Sequence, residues 1–477
     1  MKLALLGVGN AGTRIVDALL AAEKRVDRPV TREQVLAFNT TPSAFAETTH
    51  IDDERQVVVG DIHPDVVQPE ETVDGDETDR GDGDETGDGD SDGHETVREG
   101  VAGDPELGVE VARDDLPEIR RALDMVDDTE VDAAMIVAGL GGGTGCGVGA
   151  VLLEELKAIY EIPVYVLGVL PTGEESDRRA WTAARAIRTF VPLADSVIPV
   201  DNESWIAIHG NTESYETLNR ALATRIVSVF GAGERDNQPL SEVRMDPNDV
   251  RRVLEVGGLA TVGYAKTDLD PVSESWLTRL RRLLGRDVPE PEPQTDAVSI
   301  KKLVQRAVDS ELTLPCDIAT ADRVLLVLSG PPTELSRKGF ETGRYLLEDE
   351  TGTVEVLAGD EPLPGATRVT ATILLSNVTG VPRIEALQQR AVDYQHAQGL
   401  STTDDQSGED GDQSDEGGDQ LTETDHGFDF QDDELVGGDG DIEEETVDPE
   451  DDKAADGTVD SETDTAEDDP ETEPQEQ

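Results

Sequence analysis

Two glycine-rich turns are the places where this chain could hold an anion. The first is "GVGNAG", in which Gly7, Gly9 and Gly12 lie between an apolar run, "KLALL", and an amphipathic stretch, "TRIVDALLAAE". The second is "GLGGGTGCGVG", seven glycines in the eleven positions from Gly139 to Gly149, entered from "DAAMIVA" and left through "AVLLEELKAIY". Glycine gives up more backbone entropy on folding than any other residue, so such density asks what must come close to the main chain. Bare amides at the start of a helix suit a phosphate group. One such turn cradles a pyrophosphate; two on neighbouring strands predict an arch around a longer phosphate chain. No Lys closes the second run, so it is not a Walker loop, and the contacts fall to backbone amides and Thr144. A tight strand–helix junction also uses glycine, but needs far fewer. The first turn taken alone fits a dinucleotide site. The acidic ribose ligand expected at the end of the second strand is absent, however: that position reads "FNTT", with Asn39, Thr40 and Thr41.

The elements that must position these turns follow from apolar periodicity. "KLALL", "EQVLAFNTT", "VDAAMIVAGL", "IPVYVLGVLP" and "DSVIPVDN" read as strands, alternating with helices at "TRIVDALLAAE", "DLPEIRRALDMV", "GAVLLEELKAIY" and "ESDRRAWTAARAIRTFV". Near-continuous apolar strands alternating with helices predict a Rossmann-like, doubly wound parallel sheet over residues 1–212. "SYETLNRALATRIVSVFGAG" predicts a long central helix, followed by the polar loop and helix of "SEVRMDPNDVRRVLEVGG", together residues 213–258. Residues 259–398 hold four strand-like runs, "ATVGYAK", "ADRVLLVLSG", "GTVEVLAGD" and "RVTATILLS". Helices are expected at "SIKKLVQRAVD" and "LSRKGFETGRYLLE", and a Pro-rich, charged loop at "RLLGRDVPEPEPQTDA". This is a second, smaller α/β domain. Residues 70–98 and 399–477 have too few apolar side chains to offset their ordering entropy, so both are expected to be disordered.

The 477 residues carry 39 Lys and Arg against 106 Asp and Glu, a formal charge of −67. From Ser401 onward there are 33 acidic residues and one Lys; residues 70–98 hold 13 acidic residues and two Arg. The remainder is still acidic and poor in Lys. Such a surface suits a high-salt cytoplasm, where screening makes self-repulsion tolerable. It excludes nucleic acid as a partner, since phosphate neutralisation needs a basic face. The two Cys, Cys146 and Cys316, lack metal-type spacing and fit a reducing compartment. No window reaches the roughly 18 apolar residues of an integral membrane segment, and the short, glycine-interrupted N-terminal stretch is a strand, not a signal peptide.

"GGGTGCG" resembles the signature of the tubulin/FtsZ superfamily, G-G-G-T-G-[ST]-G, with Cys146 in the variable slot. Other loops resemble that family's in the same order: Gly7–Gly12 its first phosphate loop, "FNTT" its second, and "EGVAGDPELG" (Glu99–Gly108) the loop near the terminal phosphate. "EESDRRAWTAARAI" resembles its sugar-contacting segment, "VDNESW" its guanine-contacting stretch and "YETLNRAL" the start of its central helix. The resemblance implies a GTPase. It assigns guanine-nucleotide contacts to Gly9, Asn10, Ala11, Gly12, Asn39, Gly103, Gly141, Gly142, Gly143, Thr144, Gly145, Cys146, Glu175, Arg179, Asn202, Tyr215 and Asn219. An aromatic face and an amide four residues apart on a helix can hold and read a purine, although Tyr215 and Asn219 alone are equally an ordinary half-exposed stripe. The resemblance further implies that Asp246 and Asp249, in "RMDPNDV", enter the next subunit's site and orient the attacking water, with Mg2+ and amides holding the phosphate charge. Asp246 also reads as a helix N-cap before Pro247, and the two roles are compatible.

"LVQRAVDSELTLPCD", "SGPPTELSRKGFE" and "VPRIEALQQRA" resemble the archaeal tubulin-like CetZ group more than FtsZ. Arg244 and Pro247 depart from the FtsZ pattern and bear on the hydrolysis rate. The expectation is a cytoplasmic protein that binds GTP and GDP and polymerises with itself, head to tail, in control of cell shape. Its rivals are a GTP-binding regulator that neither hydrolyses nor polymerises, and a nicotinamide-dependent oxidoreductase built on Gly7–Gly12. The tail's one apolar spot, around Phe428 and Phe430, offers a docking point for a partner the sequence does not identify.

Overall fold

The computed structural model describes residues 1–26, 28–66, 100–209, 214–234, 245–270, 295–309, 312–353 and 355–398. The acidic insertion, Arg244, most of the Pro-rich loop and the tail lie outside the described residues. Six strands form one parallel sheet: β1 (Leu3–Val8), β2 (Val35–Asn39), β3 (Gln56–Val58), β4 (Ala133–Gly139), β5 (Val164–Leu170) and β6 (Ser196–Asp201). Their order is β3-β2-β1-β4-β5-β6. Every residue of β1, β2, β5 and β6 is buried, as a parallel sheet covered on both faces demands. The covering helices are α1 (Gly9–Val26), α2 (Pro105–Asp114), α3 (Leu116–Leu123), α4 (Gly143–Ile159), α5 (Asp177–Leu193) and α6 (Asn202–His209). The Rossmann-like parallel sheet is as expected. The edge strand β3 and helix α6 were not: β3 is three half-buried residues, too short to show a period.

Helix α7 (Tyr215–Phe230) leads to α8 (Pro247–Leu254) and a second sheet of β7 (Ala260–Asp268), β8 (Arg323–Gly330), β9 (Val356–Pro362) and β10 (Arg368–Ser376). Its order is β7-β10-β8-β9, with β10 antiparallel to both neighbours and β8 parallel to β9. Among the described residues, α9 (Ala297–Asp309), α10 (Arg337–Thr351) and α11 (Pro382–Ala397) accompany it. Helices α9 and α10 approach closely because Gly339 and Gly343 face Ile300 and Val304; a Cβ on Gly339 would lie 2.9 Å from Ile300.

Helix α7 packs along α1 with the same polarity. Their C-terminal ends meet where Arg28, just past α1, donates to the Val227 carbonyl at 3.3 Å. Arg28 also forms a buried ion pair with Glu361 of β9, which accepts a further hydrogen bond from the Ser329 hydroxyl at 2.8 Å. The second domain is hydrogen-bonded to the edge of the first sheet: Asp201 N–H donates to the Thr313 carbonyl at 2.8 Å and the Trp205 indole to the Leu312 carbonyl at 2.8 Å. The Arg225 guanidinium lies 4.4 Å from the centre of the Trp205 ring, a cation–π contact in the same seam.

Candidate functional site

The C-terminal ends of β1, β2, β4, β5 and β6 lie along one edge of the parallel sheet, where open α/β sheets place their ligands. Gly9, Asn10, Ala11 and Gly12 follow β1; Asn39 ends β2; Gly141 to Cys146 follow β4; Glu175 and Arg179 follow β5; Asn202 follows β6. Tyr215 and Asn219 begin α7. Since α7 runs parallel to α1, this start faces the same end of the molecule as Gly9.

The glycines divide into two sets. Gly12, Gly143, Gly145 and Gly147 are glycine because protein backbone presses against them. A Cβ would meet the Val137 carbonyl oxygen at 1.9 Å from Gly12, Asp104 N at 2.5 Å from Gly143, the Gly139 oxygen at 2.4 Å from Gly145 and the Pro105 oxygen at 2.3 Å from Gly147. These contacts seat α1 on β4 and α2 on α4 without side-chain padding. Gly142 and Gly103 differ: a Cβ on either meets nothing within 4 Å. Gly103 has φ +79°, Gly100 φ +61° and, between them, Ala102 φ 50°, a left-handed conformation that a Cβ makes costly. Four residues thus hold a strained turn against the start of α4. Of the seven glycines from Gly139 to Gly149, Gly143, Gly145 and Gly147 serve the junction, so the junction needs more glycine than the sequence suggests.

What remains open is the N-terminus of α4. Its N-cap, Gly142, makes no side-chain capping bond, so amides in the first turn point into the space beside Gly142 and Gly103, where a helix favours negative charge. The side chains around it are fixed. Asn39, 1% exposed, donates through Nδ2 to Asn10 Oδ1 at 2.9 Å and accepts from Thr41 N–H at 3.1 Å. Thr40 and Thr144 share a hydroxyl hydrogen bond of 2.8 Å. Cys146 is the exception. Its thiol is buried and donates to the Leu140 carbonyl at 3.0 Å, its amide donates to Gly142 at 3.2 Å, and burial pushes its pKa up to about 12. Cys146 therefore packs α4 against β4 and offers no group to a ligand.

On the other flank, Glu175 accepts from Thr172 N–H at 2.9 Å and pairs with Arg179. Gly141 lies against both Pro171 and Arg179; a Cβ there would be 3.3 Å from each of their Cβ atoms. Asn202 is half-buried at the start of α6, Asn219 half-buried, and Tyr215 57% exposed with its ring free to stack. Among the described residues no group of three or more His, Cys, Asp or Glu is placed to hold a metal. The amides, Thr144 and the open turn fit a nucleotide phosphate chain, and any Mg2+ would be carried mainly by the phosphates.

Asp246 and Asp249 are elsewhere. They open α8 with a capping box: Asn248 N–H donates to Asp246 Oδ1 at 2.8 Å and Asp246 N–H to Asp249 Oδ2 at 2.9 Å. Met245, just before them, packs against Gly233, past the C-terminal end of α7. The 16 residues of α7 span about 24 Å, and the amide cluster is at the helix's other end. Within one chain these carboxylates cannot reach it. The loops "FNTT" and "EGVAGDPELG" are marked in the sequence, but the roles of Thr40 and Ala102 within them are not: the Thr40–Thr144 hydroxyl contact and the positive φ of Ala102 leave no trace in residue type.

Residues 2–210 match the tubulin/FtsZ family GTPase domain and residues 210–393 the tubulin-like CetZ C-terminal domain. The chain is 37% identical over 399 residues to tubulin-like protein CetZ1 of Haloferax volcanii, covering 83% of this chain and 93% of that one. It is also 37% identical to CetZ3 of the same organism, covering 83% and 92%. Among solved structures, the GDP-bound CetZ1 monomer of Haloferax volcanii aligns with TM-score 0.64 and 34% identity, covering 83% of this chain and 100% of that one. The GTPγS-bound CetZ2 protofilament of that organism also aligns with TM-score 0.64, at 29% identity and the same coverage. The chain belongs to the tubulin-like CetZ family of the tubulin/FtsZ superfamily, a family of cytoskeletal GTPases.

Proposed function

We propose that this protein binds GTP and GDP at the edge formed by β1, β2, β4, β5 and β6, hydrolyses GTP, and assembles head to tail into filaments that act on cell shape in the cytoplasm. One observation carries the reading: the open amide cluster of α4 and the Asp246–Asp249 pair stand at opposite ends of α7. A second copy stacked end to end joins them, and repetition of that heterologous contact makes a filament rather than a closed ring. The phosphates sit on the first turn of α4 opposite Gly103, with the Thr144 hydroxyl beside them. Glu175 and Arg179 border the sugar. Tyr215 stacks on the base, and Asn202 and Asn219 read its edge. Mg2+ bound with the nucleotide would neutralise phosphate charge.

At the contact, the carboxylates of Asp246 and Asp249 hold a water in line with the terminal phosphoryl group and accept its proton. Each uses one oxygen for the α8 cap in this structure, which fixes the rotamers and leaves the second oxygen to face the neighbour. The nicotinamide reading is disfavoured by Asn39, whose amide is spent on Asn10 and Thr41 where a ribose would need a carboxylate. Sedimentation in molar KCl with GTP, GDP or no nucleotide, with phosphate release followed in parallel, tests the proposal. GTP-dependent pelleting with turnover supports it. Binding without pelleting would instead support a non-polymerising regulator.

A further inference from the structure

Helix α11 of the second domain reaches back across the first. Arg383, its second residue, donates through Nε to Asp201 Oδ1 at 3.1 Å and through Nη2 to the Pro171 carbonyl at 2.6 Å. The same Nη2 lies 2.9 Å from Glu203 Oε2, which also accepts from Gly173 N–H at 2.8 Å. Two turns further along, Arg390 Nη2 donates to Asp177 Oδ1 at 2.6 Å and to the Glu175 carbonyl at 3.0 Å. The Arg383 side chain is 13% exposed and that of Asp201 1%. Arg383, Leu387, Arg390 and Tyr394 recur at helical spacing and form one face. Tyr394 meets Trp181 of α5 with ring centroids 6.1 Å apart, and Leu387 is fully buried.

The acceptors are the backbone and side chains of two segments at the sheet edge. Asp201 immediately precedes Asn202. Pro171, Glu175 and Asp177 belong to the segment that carries Arg179, and Pro171 itself lies against Gly141. A cation in the first turn of a helix opposes the helix dipole, so α11 gains nothing by itself from Arg383 at this position. Its partners account for it. The rigid, planar Arg fork bonds a carboxylate and a carbonyl at once in a fixed geometry, which the point-like ammonium of Lys does not impose.

We infer that Arg383 and Arg390 are positioning residues of the nucleotide site: from the second domain they fix the end of β6 and the segment after β5, and so the placement of Asn202, Glu175 and Arg179 against base and sugar. The inference rests on the guanine-nucleotide reading above. It makes the site a product of both domains, and by reciprocity anything that loosens α11 weakens nucleotide binding, while bound nucleotide holds α11 down.

The test is equilibrium binding of N-methylanthraniloyl-GDP to the full chain in molar KCl, with melting temperatures recorded alongside. Arg383→Gln leaves Asp201 buried beside a neutral partner and is expected to weaken binding about tenfold or more. Arg383→Lys recovers part of the loss. Arg390→Gln, at a wetter position, weakens binding roughly threefold. A folded Arg383→Gln protein that binds like the wild type overturns the inference, as does a Lys variant no better than Gln. Should Arg383→Gln fail to fold, Arg390→Gln decides: wild-type affinity in that folded variant overturns the inference. A wild type that does not bind the analogue brings down the nucleotide reading and this inference together, whereas a binding wild type with unaffected variants brings down only the inference.

Discussion

The hydroxyl oxygens of Thr40 and Thr144 meet at 2.8 Å, joining the loop after β2 to the first turn of α4 across 104 positions of sequence. Gly100 packs against Thr40 from a third loop: a Cβ there would lie 2.5 Å from Thr40 Oγ1 and 2.6 Å from Thr41 Oγ1. Three loops therefore register on one hydroxyl contact. Thr144→Val removes it without changing side-chain size. The expected result is nucleotide affinity lowered by about 1–1.5 kcal/mol, close to tenfold, with a melting temperature near that of the wild type. Titration with a fluorescent GDP analogue measures the first and thermal unfolding the second.

Replacing single glycines separates the two sets. Gly145→Ala drives a methyl to 2.4 Å from the Gly139 oxygen, an overpacking that costs about 1–3 kcal/mol. Its signature is a lowered melting temperature with or without ligand. Gly142 has φ −111° and empty space around it, so Gly142→Ala should melt like the wild type and yet bind nucleotide more weakly. Equal destabilisation in both variants would contradict the division.

Asp249 has two roles that one substitution can part. Asp249→Asn keeps an oxygen to accept from Asp246 N–H, so the cap persists and stability is nearly unchanged. Asp249→Ala also removes the Asp246 N–H bond, half of the capping box, and costs about 1 kcal/mol. Both should lower phosphate release in the polymer by about 100-fold or more. Turnover by Asp249→Asn at the wild-type rate would exclude proton acceptance by this carboxylate.

Burial pushes both thiols, Cys146 and Cys316, up to about 12. Raised pKa means less thiolate at any given pH, and the thiolate is the reactive form. Maleimide at neutral pH should leave both unmodified in the native protein and label both after unfolding, as intact-mass measurement would show. Cys146→Ser keeps a donor to the Leu140 carbonyl and should retain nucleotide affinity.

Much of this architecture is legible in the sequence because parallel strands are apolar throughout. "LALLGV" and "VYVLGVL" announce buried strands, and the glycines mark where they turn. Short or mostly polar elements escape. β3 has only three residues, and α11 shows an apolar stripe of Ile384, Leu387 and Ala391 in a sequence otherwise filled with Arg, Gln and Glu. Site chemistry is partly legible for the same reason. A glycine reports that something comes close, but not whether a ligand or a neighbouring helix does so, and Cys146 reports nothing of its direction. Contacts such as Arg383–Asp201, 182 positions apart, have no local trace.

The buried pair of Arg28 and Glu361 is separated by 333 positions. At ribosomal rates of about 5–20 residues per second, Arg28 waits tens of seconds for its carboxylate to be made. The first sheet can form in that interval, but the flank of α1 and α7 around Arg28 must stay wet, because a dry guanidinium without its partner is prohibitive. Synthesis order thus imposes a sequence of drying: the first sheet can form early, but its seams with the second domain, at Arg28 and at Asp201, dry only once β9 and then α11 have been made.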